Sequence, residues 1–217
     1  MSKCNEAEEK GEALKGVPMQ IFVHYTLPGC SGCRICEQVC SLKHEGVVNP
    51  AKSRIRILPF PPGPIDVPIV CFNCDDHPCV NACQAGKLGF GEGSGAMTYD
   101  EKTHTIKVDP EICNGWRRCH NCYDACVKHG RGGRIFFHPP PHDYAMVCDL
   151  CGGDPECVKY CPGGCLGCKP GGEAGSGGGI LEFLPRHPLA KFMAKPAEVI
   201  AKQIKEQLYP ADANTDE

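Results

Sequence analysis

The chain has 217 residues and a formal net charge of −3, which offers no electrostatic footing for nucleic acid. It carries 19 cysteines, 26 glycines and 20 prolines against one tryptophan, six tyrosines and eight phenylalanines. That composition excludes a large apolar core as the main stabiliser and leaves disulfides or bound metal. No apolar run approaches the length of a bilayer crossing, and the N-terminus shows neither a signal core nor a twin arginine. The expectation is therefore a cytoplasmic chain with reduced thiols and metal rather than disulfides, unless a twin-arginine partner carries it across a membrane.

Residues 1–16 read as a flexible leader, with Cys4 a free thiol. Met19–Tyr25 has strand composition and leads into Cys30-Ser-Gly-Cys33-Arg-Ile-Cys36-Glu-Gln-Val-Cys40. Cysteines at every third position, followed by another after three intervening residues, are spaced as in a bacterial-type ferredoxin that holds a 4Fe–4S cube. Three thiolates on a tight loop reach three irons of one cube, while the fourth starts a helix and serves a neighbouring cluster. Gly29 and Gly32 let the backbone N–H groups curl toward the anionic sulfurs. Ser41–Gly46 finishes the helix, with Gly46 as its stop. Arg54–Leu58 alternates charged and apolar residues as a half-buried strand does, and Pro59–Pro64 predicts an extended connection.

The second motif is Cys71, Cys74, Cys79 and Cys83. Ala96–Tyr99 and His104–Val108 read as a hairpin that delivers the chain to the third motif, Cys113, Cys119, Cys122 and Cys126. Arg134–His138 is a further strand, and the fourth motif is Cys148, Cys151, Cys157 and Cys161-Pro162. Near Pro196 a helix begins with Val199, Ile200, Ile204 and Leu208 on one face, for packing or docking, and it stops at Tyr209-Pro210. Four motifs supply sixteen thiolates, the number that four cubes require. Zinc is the rival for paired CxxC units, but triplet spacing and a Cys–Pro ending belong to iron–sulfur loops.

Three segments carry a resemblance: CSGCRICEQVCSLKHEGVVNPAKSRIRI (residues 30–57), CFNCDDHPCVNAC (71–83) and CDLCGGDPECVKYCP (148–162). They resemble the four-cluster iron–sulfur subunits of tungsten or molybdenum bis-pterin oxidoreductases. The closest resemblance is to the electron-transfer subunits of the aldehyde oxidoreductase and class II benzoyl-CoA reductase family. It covers about residues 18–185. It implies that outer motifs exchange ligands with each other, and inner motifs likewise. Cys30, Cys33, Cys36 and Cys161 would hold one cluster, and Cys148, Cys151, Cys157 and Cys40 another. Cys71, Cys74, Cys79 and Cys126 would hold a third, and Cys113, Cys119, Cys122 and Cys83 the fourth. The clusters would then form a row that passes single electrons to or from a catalytic pterin subunit, with a further donor or acceptor protein as a possible partner.

The third motif departs from this pattern, because five residues separate Cys113 from Cys119. Either Cys113 is a ligand on a longer loop, or Trp116 stands in the ligand's place and the cluster is 3Fe–4S, as in some related subunits. Cys165 and Cys168 form an extra CxxC that reads as free thiols or replacement ligands. The histidines, His120 included, read as surface groups or as neighbours of ligands. Arg34, Arg117, Arg118 and Arg131 lie near cluster loops, as ordinary surface charge or as groups that raise a potential. Residues 171–179 form a glycine-rich linker, and no nucleophile–base pair, flavin motif or nicotinamide motif is present.

The expected fold is α+β, loop-rich and cluster-stabilised. It is divided into the leader 1–16, a polyferredoxin domain 17–185 and an extension 186–217 with a docking helix. Within the domain, 17–66 pairs with 134–185 as one ferredoxin-like unit, and 67–133 forms the other. The function expected is electron relay without substrate chemistry. Alternatives are a free polyferredoxin, the iron–sulfur subunit of a membrane-anchored respiratory reductase, and a structural zinc module.

Overall fold

The structure is a computed structural model that describes residues 17–25, 29–84, 95–162, 180–186 and 195–208. The leader with Cys4, the extra pair Cys165 and Cys168, the linker 171–179 and the Tyr209-Pro210 stop lie outside the described residues. The elements are β1 (Met19–Val23), α1 (Ile35–Glu45), β2 (Ile55–Pro59), β3 (Asp66–Val70), α2 (Pro78–Ala82), β4 (Met97–Asp100) and β5 (Thr105–Val108). They continue with α3 (Asn121–Lys128), β6 (Phe136–Phe137), β7 (Ala145–Met146), α4 (Glu156–Lys159), β8 (Leu181–Pro185) and α5 (Ala197–Leu208). The result is a small mixed α/β architecture, rich in loops and cysteine.

The described strands form antiparallel pairs: β1 with β8, β2 with β3, β4 with β5, and β6 with β7. The β4–β5 hairpin matches its expectation, with Thr98 opposite Lys107 and Tyr99 opposite Ile106. The proline-rich stretch after β2 does not. Instead of an extended connection it closes a hairpin: Pro59 sits opposite Asp66, and the Phe60 N–H donates to the Ile65 carbonyl at 2.9 Å. Proline lacks an N–H but suits a turn, so a run of prolines can close a hairpin at the end of the ladder. Strand β8 pairs with the first strand from far along the chain, Val23 lying opposite Leu181.

Each cysteine loop is followed by a helical segment for a shared reason. Cys36 and Cys40 lie four residues apart on α1, and Cys122 and Cys126 repeat that spacing on α3. Such a pair lies on one helix face, about 6 Å apart along the axis, so one segment aims thiols at two neighbouring places. Gly46 ends α1 in a left-handed conformation, and its N–H reaches the Leu42 carbonyl at 3.0 Å, as the sequence predicts. Packing brings α1 onto α4 and α2 onto α3, so segments far apart in sequence bring their cysteines together.

The main core is unusual in containing the thiols themselves, packed with Ile21, Ile55, Val70, Met97, Ile106, Leu150 and Leu181. A second core joins Ala197, Ile200, Ala201 and Ile204 of α5 to Ile65, Val67 and Ile69. Of the two roles expected for the C-terminal helix, packing within this chain is the one visible here. Val199, expected on its apolar face, is 42% exposed.

Candidate metal centres

All sixteen motif cysteines fall among the described residues, and each is a free thiol. They gather in four places. Cys30, Cys33, Cys36 and Cys161 line one pocket with Ile57, Pro68 and Leu181. Burial pushes the Cys30 thiol up to about 11, and Cys33 and Cys161 add to the effect. Cys36 is also raised by burial and by Cys30, Glu37 and Cys161. In the second place Cys148, Cys151 and Cys157 surround Cys40. Burial and then these neighbours raise Cys148 and Cys157 well above the usual thiol range.

Cys71, Cys74, Cys79 and Cys126 line the third pocket with Phe72, Ile106, Arg131 and Arg134. Burial pushes Cys79 up to about 12, followed by the influence of Cys126. The fourth place brings Cys113, Cys83 and Cys119 around Cys122, whose thiol burial likewise raises to about 12. Every group therefore takes three thiols from one motif and one from another.

The groups also neighbour one another. Cys157 of the second is close enough to Cys36 of the first to feel its charge. Cys148 of the second feels Cys71 of the third, and Cys79 of the third feels Cys122 of the fourth. The four places thus form a row, with the Cys30 pocket and the Cys113 pocket at its ends.

Backbone amides point at the sulfurs. Gly32 N–H donates to Cys30 Sγ at 3.4 Å, Asn73 N–H to Cys71 at 3.3 Å and Arg54 N–H to Cys40 at 3.3 Å. Arg134 N–H reaches Cys126 at 3.3 Å, and Ala145 N–H reaches Cys113 at 3.4 Å. Gly32 has φ +68°, a left-handed conformation that favours glycine, and a Cβ there would crowd the Asp66 carboxylate at 2.5 Å. Four converging thiols with amide donors at their sulfurs fit a thiolate-ligated iron cluster, since coordination offsets the cost of ionising a buried thiol.

In the third motif, Cys113 lies with the other three thiols of its group. Trp116 sits outside that group: its ring is 46% exposed and packs against His120, Tyr123 and Phe137. The longer loop is braced by Asp143, whose carboxylate accepts the N–H groups of Trp116 and Arg117 at 2.9 and 3.2 Å.

Of the four arginines near the cysteine loops, three are surface charge and only Arg131 is buried. Arg34 pairs with Glu37 at 3.4 Å and, like Arg117 and Arg118, is exposed. Arg131 is buried in the third pocket, and sequence reasoning missed Arg134 beside it. The signal was an arginine opening an otherwise apolar stretch, Arg134-Ile-Phe-Phe. Also missed were the buried Glu37 and the partly buried His44, whose Nε2 lies 3.7 Å from Cys151 Sγ and 3.4 Å from the Asp149 carboxylate. His120 is remote from such a role; its Nδ1 pairs with Asp124 at 2.7 Å on the surface.

No family model matches the chain. It is 42% identical over 145 residues to the aliphatic sulfonate oxidoreductase, polyferredoxin-like subunit, of Pyrococcus furiosus, covering 67% of this chain and 73% of that protein. It is 27% identical over 169 residues to the electron transport protein HydN of Escherichia coli, covering 69% and 88% respectively. Over 122 residues it is 28% identical to a tetrathionate reductase subunit of Archaeoglobus fulgidus, covering 56% of this chain and 50% of that one.

Proposed function

Since this chain belongs to the polyferredoxin-like iron–sulfur electron-transfer subunits of oxidoreductases, we propose that it relays single electrons along four 4Fe–4S clusters to or from a tungsten or molybdenum bis-pterin subunit. The observation that carries the reading is the row of four thiol groups, each borrowing one cysteine from another motif. In this reading the ligand sets are Cys30, Cys33, Cys36 and Cys161; Cys148, Cys151, Cys157 and Cys40; Cys71, Cys74, Cys79 and Cys126; and Cys113, Cys119, Cys122 and Cys83. The chain forms two ferredoxin-like units, 17–66 with 134–185 and 67–133.

Each cluster, when bound, takes up and releases one electron. The chain's own part is to hold the thiolates, exclude water and aim amide dipoles at the sulfurs, which sets how readily that electron is accepted. Helices α1 and α3 keep adjacent groups about one turn apart, close enough for direct transfer. Cys33 is exposed in the first pocket, which puts an end of the row at the surface for an exchange partner.

The catalytic partner is inferred from two supports. Two relatives are named as oxidoreductase subunits, and the three cysteine segments resemble subunits that serve pterin enzymes. Purification without oxygen from the native host, followed by elemental analysis, tests both parts. About 16 irons per chain beyond those of the partner support four cubes, and stoichiometric tungsten or molybdenum supports the pterin subunit. Zinc in place of iron would overturn the relay, and iron with no co-purifying chain would favour a free polyferredoxin.

A further inference from the structure

The third pocket differs from its neighbours in the charge built around it. Arg134 is 2% exposed, and its guanidinium donates to three carbonyl oxygens: Arg131 at 2.9 Å, Val70 at 3.1 Å and Lys195 at 3.1 Å. It also meets the Tyr25 hydroxyl and stands 4.3 Å above the Phe72 ring. Among the described residues no carboxylate lies within ion-pair distance of it. Arg131, 7% exposed, reaches toward Cys74 and pairs with Asp76 at 2.8 Å. Both arginines line the pocket with Cys71, Cys74, Cys79 and Cys126.

Carbonyl dipoles offset a buried cation only in part, so such a group favours an anion beside it. The other pockets present different charge. The first has Glu37, 2% exposed, beside Cys36, and Asp66 beside Cys30, with the exposed Arg34 lining the pocket and paired to Glu37 at 3.4 Å. The second has Asp149 and Glu156 near Cys151, with Arg56 near Cys40 as a counterweight. At Cys122 in the fourth, the influences after burial are the Tyr123 amide and other thiols.

We propose that Arg134, assisted by Arg131, makes the Cys71–Cys74–Cys79–Cys126 centre the highest-potential member of the row, so that an electron entering the chain comes to rest there. The inference depends on the iron–sulfur reading given above. Reduction adds one negative charge to the centre, and the adjacent cations stabilise that extra charge in a low-dielectric pocket. The electron comes from a neighbouring cluster, which is oxidised by one electron as this centre is reduced. No bond or proton changes place. Arg134 acts by positioning charge and makes no contact with any substrate.

The test is a redox titration of the full-length, iron-loaded chain followed by electron paramagnetic resonance. In Arg134→Gln the highest-potential component should fall by a factor of about ten in its reduction equilibrium, about 59 mV for a one-electron couple, while the other components stay in place. Arg134→Lys, which keeps the charge, should restore most of the shift. Asp76 lies at the exposed rim, so Asp76→Asn avoids the folding risk of the buried change. By removing the negative charge beside Arg131, it should raise the same component. An unmoved highest component in both Arg134→Gln and Asp76→Asn would overturn the proposal, as would an equal shift of all components. A wild-type chain without iron–sulfur signals would instead remove the reading on which the proposal rests.

Discussion

The carboxylate of Glu37 on α1 accepts the Ile57 N–H of β2 at 2.7 Å, in a position 2% exposed to solvent. The bond ties the helix that bears Cys36 and Cys40 to the hairpin that closes the first pocket. Its other oxygen faces Arg34 at 3.4 Å, so the acid is anchored from both sides. Glu37→Ala leaves a buried amide without an acceptor, at a cost of about 1–3 kcal/mol. We expect a melting temperature lower by several degrees in anaerobic circular dichroism. Glu37→Gln, which keeps the acceptor oxygen, should retain most of that stability.

The two candidates for the irregular ligand separate cleanly by mutation. Cys113→Ala should remove a thiol from the fourth group and lower the iron content from about 16 toward about 12 per chain. Trp116→Ala should leave the iron content unchanged and disturb the surface packing around His120 and Tyr123. Iron assay beside resonance spectra decides between them, and iron loss in the tryptophan variant would sink the assignment.

Helix α5 gives a stability prediction independent of any metal. Ile204 is 6% exposed and packs into the second core with Val67 and Ile69. Ile204→Ala should cost about 2–5 kcal/mol, depending on how far the site collapses. Truncation after Pro185 removes the helix entirely and leaves Ile65, Val67 and Ile69 exposed. Faster proteolysis of the β2–β3 hairpin is the expected outcome, and unchanged digestion would show that the helix contributes little.

Metal removal should collapse far more of the chain than its small helices suggest. The cysteine groups lie within the main core, so emptied of metal they would leave converging thiols there with no coordination bonds in its place. Anaerobic treatment with an iron chelator and an oxidant should abolish most of the far-ultraviolet circular dichroism change on heating. Retention of a cooperative transition by the stripped chain would argue against a cluster-held core.

Much of the architecture was legible because cysteine spacing is a geometric constraint. The motifs marked where helices lie, although each helix starts just before the third cysteine rather than at the fourth; Gly46 marked where one stops, and the turn at 100–103 marked the β4–β5 hairpin. The proline stretch misled because proline's fixed φ serves an extended segment and a turn equally well. Strand β8 gave little local signal, since its partner is the distant β1. In the candidate site, loop spacing cannot report charge placed by tertiary packing. Arg134 enters the third pocket from a segment read as an ordinary strand, and nothing in the motif spacing marks Glu37 as buried. The apolar face of α5 was visible in the sequence, but its partner, Ile65–Ile69, was not.

The pairing of Cys30 with Cys161 has a consequence for how the protein is made. The first three thiols leave the ribosome long before their fourth companion is translated, a wait on the order of ten seconds at ordinary synthesis rates. In the proposed reading, the Cys30–Cys36 loop would during that time be an open half-site, exposed to oxidation and to capture of the wrong metal. With the ligand set proposed above, delivery of iron would follow completion of the chain, or the loop would be shielded until its last cysteine arrives.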